Sequence, residues 1–263
     1  MLKNKVIVVS GVGPGLGIKL AMATARAGAR GVVMVARNAG RLAEAKSRVD
    51  ACGTDCQPLA VPADITSESD CAALVECAVA KFGRIDGLVN SAYNPGNVMK
   101  SIAETELADW RPVLETNLFG TMTLTQAVVP QMKKQKDGAI VMISSMVTRK
   151  PLLGQAGYAI SKGALGVAAK YLAHELGPLG IRVNTVAMGW MWGAPVEGYM
   201  KHVEATHGVT VDAQVAAVAS NIPLGRIPTD DECAQAALFM VSDHARAITG
   251  AWLDANGGEF MAQ

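Results

Sequence analysis

Short apolar runs alternate with stretches of helical period from residue 6 onward, and this alternation constrains the fold more than any other feature of the chain. Residues 6–9 (VIVV) precede a helical pattern over 16–27. A second run over 31–36 precedes another over 42–49, and Gly28 reads as a helix stop. The order is therefore β-α-β-α. Later runs at 59–61, 88–89 and 140–143 lead to Asp64, Asn90 and Ser144, each bounded by Gly, Pro or charged residues, as buried parallel strands are. Helical stretches are expected over roughly 105–134 and 158–176, the latter ending at Gly177-Pro178, with closing strands at 181–186 and 251–254. No linker, low-complexity tract or short-period repeat interrupts the series. The expectation is an α/β fold, one doubly wound parallel sheet spanning 1–263 as a single unit. The stretch 193–222, between a strand and the next helix, is long enough for a small substrate-covering lobe.

Composition narrows the function classes. With 263 residues, half of them hydrophobic, a full core forms without disulfides or metals. A net charge of +1 offers no electrostatic footprint for nucleic acid or anionic lipid, so the expected partner is a small molecule. The five cysteines include no C-x-x-C pair and read as free thiols, and the four histidines show no ligand spacing, so no metal is expected. The first apolar run is too short for a signal segment or a membrane span, which points to a cytoplasmic protein without membrane attachment.

Two motifs carry chemistry. Directly after the first strand, SGVGPGLG places Gly11, Gly13, Gly15 and Gly17 before a helix N-terminus. Bare backbone amides and the helix dipole converge there, which suits a pyrophosphate; a ligand-free glycine turn is the alternative. The spacing is Gly-x-x-x-Gly-x-Gly, not the common Gly-x-Gly-x-x-Gly, and together with the β-α order it gives a Rossmann-like sheet. Farther along, YAISK puts Tyr158 and Lys162 four residues apart on one helix face. A neighbouring ammonium favours phenolate, so Lys162 is expected to draw the Tyr158 pKa down toward the working range.

With these motifs in order, the chain resembles the short-chain dehydrogenase/reductase family over essentially its whole length. The resemblance rests on the loop Gly11–Gly17, Asp64, Asn90-Ser91-Ala92, Asn117 in ETNLFG, Ser144-Ser145, YAISK, and IRVNTV followed by Gly189. The family serine lies thirteen residues before the tyrosine, which selects Ser145 over Ser144. The resemblance implies that Tyr158 supplies the proton and Ser145 polarises the carbonyl, while Lys162 also holds the nicotinamide ribose. It implies that Asn117 positions a water leading to Lys162; a buried amide at a helix kink is the plain alternative. Gly11, Gly15, Leu16, Gly17, Arg37, Asp64, Ile65, Asn90, Ala92, Tyr158, Lys162 and Gly189 would line the cofactor. For Asp64, capping of the following helix competes with adenine binding.

Ala36 stands where NAD users of the family carry aspartate, and Arg37 follows it, so NADP is preferred, with NAD possible. The chain departs from the family at Tyr93, Met188 and Gly193, where glycine, proline and threonine are usual. Trp190, Trp192 and Tyr199, with Tyr93, are candidate substrate-binding residues. They are expected to cover an apolar ring-bearing or long aliphatic ketone or alcohol; core packing or a subunit contact would use the same side chains. Arg149 and Lys150 leave room for a substrate carboxylate. The expected activity is an NADP(H)-dependent ketone reductase or alcohol dehydrogenase. Its rival is a nucleotide-sensing binding protein of the same fold without turnover. Family habit and the small, apolar residues of the two long helices imply a homotetramer, with the tail residues Phe260 and Met261 packing on a neighbour.

Overall fold

The structure, a computed structural model, describes residues 1–96 and 100–262. Its seven strands are β1 (Val6–Ser10), β2 (Gly31–Ala36), β3 (Gln57–Pro62), β4 (Gly87–Asn90), β5 (Gly138–Ser145), β6 (Ile181–Met188) and β7 (Trp252–Ala255). All neighbours are parallel, in the order β3-β2-β1-β4-β5-β6-β7. The chain builds outward from β1 to one edge and then crosses to β4. The reversal places the loop after β1 beside the loop after β4, at the crevice where open α/β sheets bind ligands.

Strand residues alternate between two cores, as a period of two requires. Ile7, Val9, Val32, Met34, Val141 and Ile143 face α1 (Leu16–Arg26), α2 (Ala39–Asp50) and α9 (Asp230–Val241). Val8, Val33, Val35, Leu88, Ile140 and Met142 face α3 (Glu68–Phe82), α5 (Thr121–Gln135) and α6 (Ala156–Leu176). Both faces being covered explains why the strands read as continuous apolar runs. Helices α3 and α9 supply cover that the pattern between strands did not single out. Each has a built start: Ser67 accepts from the Asp70 amide, and Thr229 with Glu232 forms a capping box.

The expected helix over 105–134 divides into α4 (Leu107–Leu114), a π-helical turn (Glu115–Gly120) and α5. Pro112 has no amide to donate to the ladder, and the wide turn follows directly. Gly120 lets that turn pass the β3–α3 loop, since a Cβ there would come within 2.9 Å of Thr66 and 3.0 Å of Ile65. Residues 193–222 hold α7 (Ala194–His207) and α8 (Val211–Ala219), packed on a small core of Met200, Ile222 and Ile227. Among the described residues, no helix is long and apolar enough to cross a membrane, no metal-binding cluster occurs, and all five cysteines are free.

Candidate active site

The ends of β1, β4 and β5 and the first turns of α6 bring most of the singled-out residues together. Gly11 has positive φ, and a Cβ on it would fall 2.4 Å from the Ala92 backbone; one on Gly17 would fall 2.1 Å from the Gly11 carbonyl. Only glycine allows the β1 and β4 loops to close on each other here. Ser10 Oγ accepts from the Ser91 and Ala92 amides at 3.2 and 3.4 Å, fixing that approach. Helix α1 begins at Leu16 with Gly15 before it and no side chain capping its first amides. The Ile18 amide donates to the Gly13 carbonyl at 3.3 Å, and the Leu16 and Gly17 amides ahead of it face the glycine loop's mouth at the helix start, so the cradle fits a dinucleotide pyrophosphate.

Asp64 and Ile65 sit on the loop after β3. Asp64 does not cap α3, which uses Ser67 instead; its Oδ1 accepts from the Thr66 amide and hydroxyl at 3.0 and 2.8 Å, which holds its carboxyl below the usual range. The Arg37 guanidinium is largely exposed and reaches within 3.9 Å of Asp64. Asn90 is buried, with Nδ2 donating to Thr125 Oγ1 and to Met142 Sδ. Gly189 fits between Asn256 and Met146, where a Cβ would stand 2.7 and 3.3 Å from them.

At the Tyr158 end, Asn117 lies in the π-helical turn, fully buried. Its Nδ2 donates to the Asn94 carbonyl at 3.0 Å and to Ser161 Oγ at 2.9 Å, and its Oδ1 accepts from the Asn94 amide. Ser161 in turn donates to the Tyr158 carbonyl at 2.7 Å. The amide thus ties the β4 loop to the first turns of α6. Asn94 and Ser161 were not singled out in the sequence, although Ser161 stands inside YAISK and Asn94 directly follows the stretch Asn90–Tyr93. Ser144 donates to the Lys162 carbonyl and is buried, whereas the Ser145 hydroxyl accepts from the Val147 amide at 3.4 Å and acts on the Tyr158 phenol by opposing the rise of its pKa.

The electrostatics depart from expectation. The Tyr158 phenol is pushed up, not down: burial is the main cause, Tyr93 adds to it, and the Ser145 hydrogen bond opposes it. Lys162 does not offset this, because its own ammonium is buried and donates to the Ile143 carbonyl at 2.9 Å, 5.9 Å from the Tyr158 ring centre. Burial pulls Lys162 down to about 8. Among the described residues no carboxylate lies within ion-pair distance of it.

The substrate side is only partly as expected. Tyr93 packs edge-on against Tyr158, ring centres 6.3 Å apart. Beside them a narrow cleft is lined by Pro95, Trp110, Gln155 and Tyr158, and Trp110 lies so close that a Cβ on Gly157 would stand 2.6 Å from its ring. Trp110 went unnoticed in the sequence; an aromatic on α4 carries no local sign that its helix crosses α6. Trp190 and Trp192 instead pack on the small core of the lobe, the plain alternative for them, and Tyr199 is exposed. Arg149 is taken up by Asp254 and Lys150 by Glu259, so neither is free for a substrate carboxylate. Gly193 is explained by Asp230, whose carboxylate would stand 2.2 Å from a Cβ there and which pairs with Lys19. A cavity of about 370 Å³ lies at the opposite end of the sheet among Lys5, Asp86, Asp137, Arg182 and Asp243, far along the strands from Tyr158.

Comparison with known proteins agrees with this geometry. A family model described as enoyl-(acyl carrier protein) reductase matches residues 11–259. An uncharacterized oxidoreductase of Methylorubrum extorquens is 34% identical over 98% of both chains. The 3-oxoacyl-[acyl-carrier-protein] reductase of Staphylococcus aureus is 30% identical over 99% of this chain and 100% of its own. The 7alpha-hydroxysteroid dehydrogenase of Escherichia coli is 31% identical over 98% and 94%. Among solved structures, levodione reductase superposes with a TM-score of 0.90 at 28% identity, covering 98% of both chains. NAD+-bound xylitol dehydrogenase and an actinorhodin polyketide ketoreductase variant with NADPH each give 0.87 at 28%, covering 98% of this chain and 99% of theirs. A glycine cradle at the sheet's reversal, a Tyr158–Lys162 pair beside it and relatives matched end to end lead to one conclusion: the chain belongs to the short-chain dehydrogenase/reductase family of nicotinamide-dependent oxidoreductases.

Proposed function

We propose that this protein is an NADP(H)-preferring ketone reductase or alcohol dehydrogenase acting on an apolar, ring-bearing or long aliphatic substrate. The observation that carries the reading is Lys162, a fully buried ammonium beside a phenol with no carboxylate to neutralise it. An unpaired buried charge costs several kcal/mol, roughly, and persists where chemistry uses it. A nucleotide sensor needs no such group.

The nicotinamide supplies or takes the hydride at the substrate carbon. The chain's own residues manage the oxygen. Ser145 donates a hydrogen bond to the carbonyl, and Tyr158, kept protonated by its raised pKa, gives the proton as the alkoxide forms. Asn117 holds the Tyr158 turn in place through Ser161. Gly11, Gly15, Leu16, Gly17, Asp64, Ile65, Asn90, Ala92 and Gly189 would hold the cofactor. Arg37 favours a 2′-phosphate: its contact with Asp64 is long and exposed, and such pairs contribute about 1 kcal/mol at most, so the guanidinium is readily drawn to a phosphate. The names of the relatives, a steroid dehydrogenase and an oxoacyl reductase, support a bulky or long apolar substrate.

The domain reading is one dinucleotide-binding unit with residues 193–222 as the substrate lobe, in a cytoplasmic homotetramer. Exposed Phe119, Ile160, Val167 and Tyr171 favour helix pairing between subunits. The tail contributes less than expected, since Phe260 stacks on Arg149 of its own subunit and Met261 is left exposed.

Purified protein offered cyclic and long-chain ketones, an enoyl thioester, NADPH and NADH tests the reading by cofactor absorbance. Ketone turnover faster with NADPH is expected. Cofactor binding without turnover on any substrate would favour a sensor, and reduction of the enoyl thioester alone would move the chemistry from a carbonyl to a carbon–carbon double bond.

A further inference from the structure

The turn that follows Ser145 is held from outside the site. Met146–Thr148 form a single 3-10 turn, closed by Thr148 Oγ1 donating to the Ser145 carbonyl at 2.8 Å and by the Val147 amide donating to Ser145 Oγ at 3.4 Å. The Arg149 and Lys150 amides also donate to the Met146 carbonyl at 2.9 and 2.8 Å, so every one of these bonds lies within residues 145–150, and a single turn held only locally has little rigidity of its own. At its exit the Arg149 guanidinium lies between two rings of the chain's end, 4.8 Å from the centre of Trp252 and 4.6 Å from that of Phe260, and pairs with Asp254. Next to it Lys150 pairs with Glu259 at 2.9 Å. Glu259 is 5% exposed at its side chain and Lys150 35%, so the carboxylate half of this pair is sheltered from solvent. On the inner side Met146 packs on Gly189, which is wedged against Asn256. Trp252 is anchored in turn on α6, four residues beyond Lys162, where Gly166 makes room for its ring.

We propose that Arg149 is a positioning residue: gripped by Trp252, Phe260 and Asp254, it makes the C-terminal segment hold the turn that carries Ser145. A planar guanidinium suits the role because it stacks on two rings and pairs with a carboxylate at once, which an ammonium does not. The inference rests on the reading that Ser145 polarises the carbonyl. Its structural half stands apart from that reading: the tail controls the order of residues 146–150 whatever the reaction is.

The test uses full-length protein with saturating NADPH and three variants, Arg149→Met, Arg149→Lys and Phe260→Ala. Phe260→Ala removes one face of the stack at the chain's end, so it reports even if Arg149→Met fails to fold. Amide hydrogen exchange across 146–150 should quicken in each folded variant. Turnover of the best ketone should fall about ten- to a hundredfold in Arg149→Met, as expected of a reacting group displaced by an ångström, with NADPH affinity within about twofold of wild type. Arg149→Lys should recover part of the loss by keeping the pair with Asp254. Unchanged exchange at 146–150 in the folded variants overturns the proposal, as does a fall in cofactor affinity that matches the fall in turnover. If the wild type turns over no carbonyl, the functional reading fails, and the exchange experiment alone decides whether the tail holds the turn.

Discussion

The cluster around Tyr158 and the lobe over residues 193–222 are built in opposite ways. Around Tyr158, Asn117, Ser161 and Lys162 are buried; hydrogen bonds run from Asn94 in the β4 loop through Asn117 and Ser161 to α6, and Lys162 donates to the Ile143 carbonyl of β5. In the lobe, α7 buries only Met200 and α8 buries no residue fully; cohesion comes from Trp190, Trp192 and a few valines around a small core. Under the proposed function, proton transfer demands fixed geometry, whereas a surface that admits differing apolar substrates gains from being loosely held. On that proposal, rate belongs to the first region and selectivity to the second.

The largest effect should come from the rigid side. Tyr158→Phe should lower turnover by about two to four orders of magnitude, the range for loss of a general acid, with NADPH binding retained in a fluorescence titration. A folded variant keeping more than about a tenth of the activity would remove Tyr158 from the chemistry. On the loose side, Trp192→Ala takes a large ring from the lobe core and should raise KM for bulky ketones about tenfold, while kcat for the smallest accepted ketone stays within about twofold. Equal losses for small and bulky substrates would show that the lobe shares the rigidity of the cluster. A smaller effect concerns the start of the lobe. Gly193→Thr restores the usual family residue, yet its Cβ would meet the Asp230 carboxylate, so Tm in a calorimetric scan should drop by about 2–10 °C. An unchanged Tm would mean that Asp230 moves aside freely.

Much of this was legible in the sequence because parallel strands buried on both faces, a glycine loop at a helix start and a Tyr-x-x-x-Lys pair are all local patterns. The seven strands lie within a few residues of the expected runs. What escaped depends on contacts distant in the chain. Helix α3 hides its buried face in Cys71, Leu74, Ala78 and Phe82, two of them small and weakly hydrophobic. That Arg149 and Lys150 answer to Asp254 and Glu259 requires the last strand to lie beside the end of β6. The direction of the Tyr158 shift was misjudged for a related reason: helical spacing gives the closeness of Lys162 but not the burial of both groups or the Ile143 carbonyl that takes the ammonium.

The central claim, that a buried Lys162 serves the proton-transfer cluster, is tested most directly by the pH dependence of kcat/KM for ketone reduction, which reports the free enzyme. Burial lowers Lys162 to about 8 from an ordinary 10.5, so the charge is present below about 8 and lost above it. In that upper window the unfolded chain binds more protons than the folded one, so stability should rise with pH while activity falls. The account predicts a profile level through neutrality that declines above about pH 8, with Tm not falling in step. A profile that stays level to about pH 10, beyond the point where a group lowered this far has lost its proton, would contradict it.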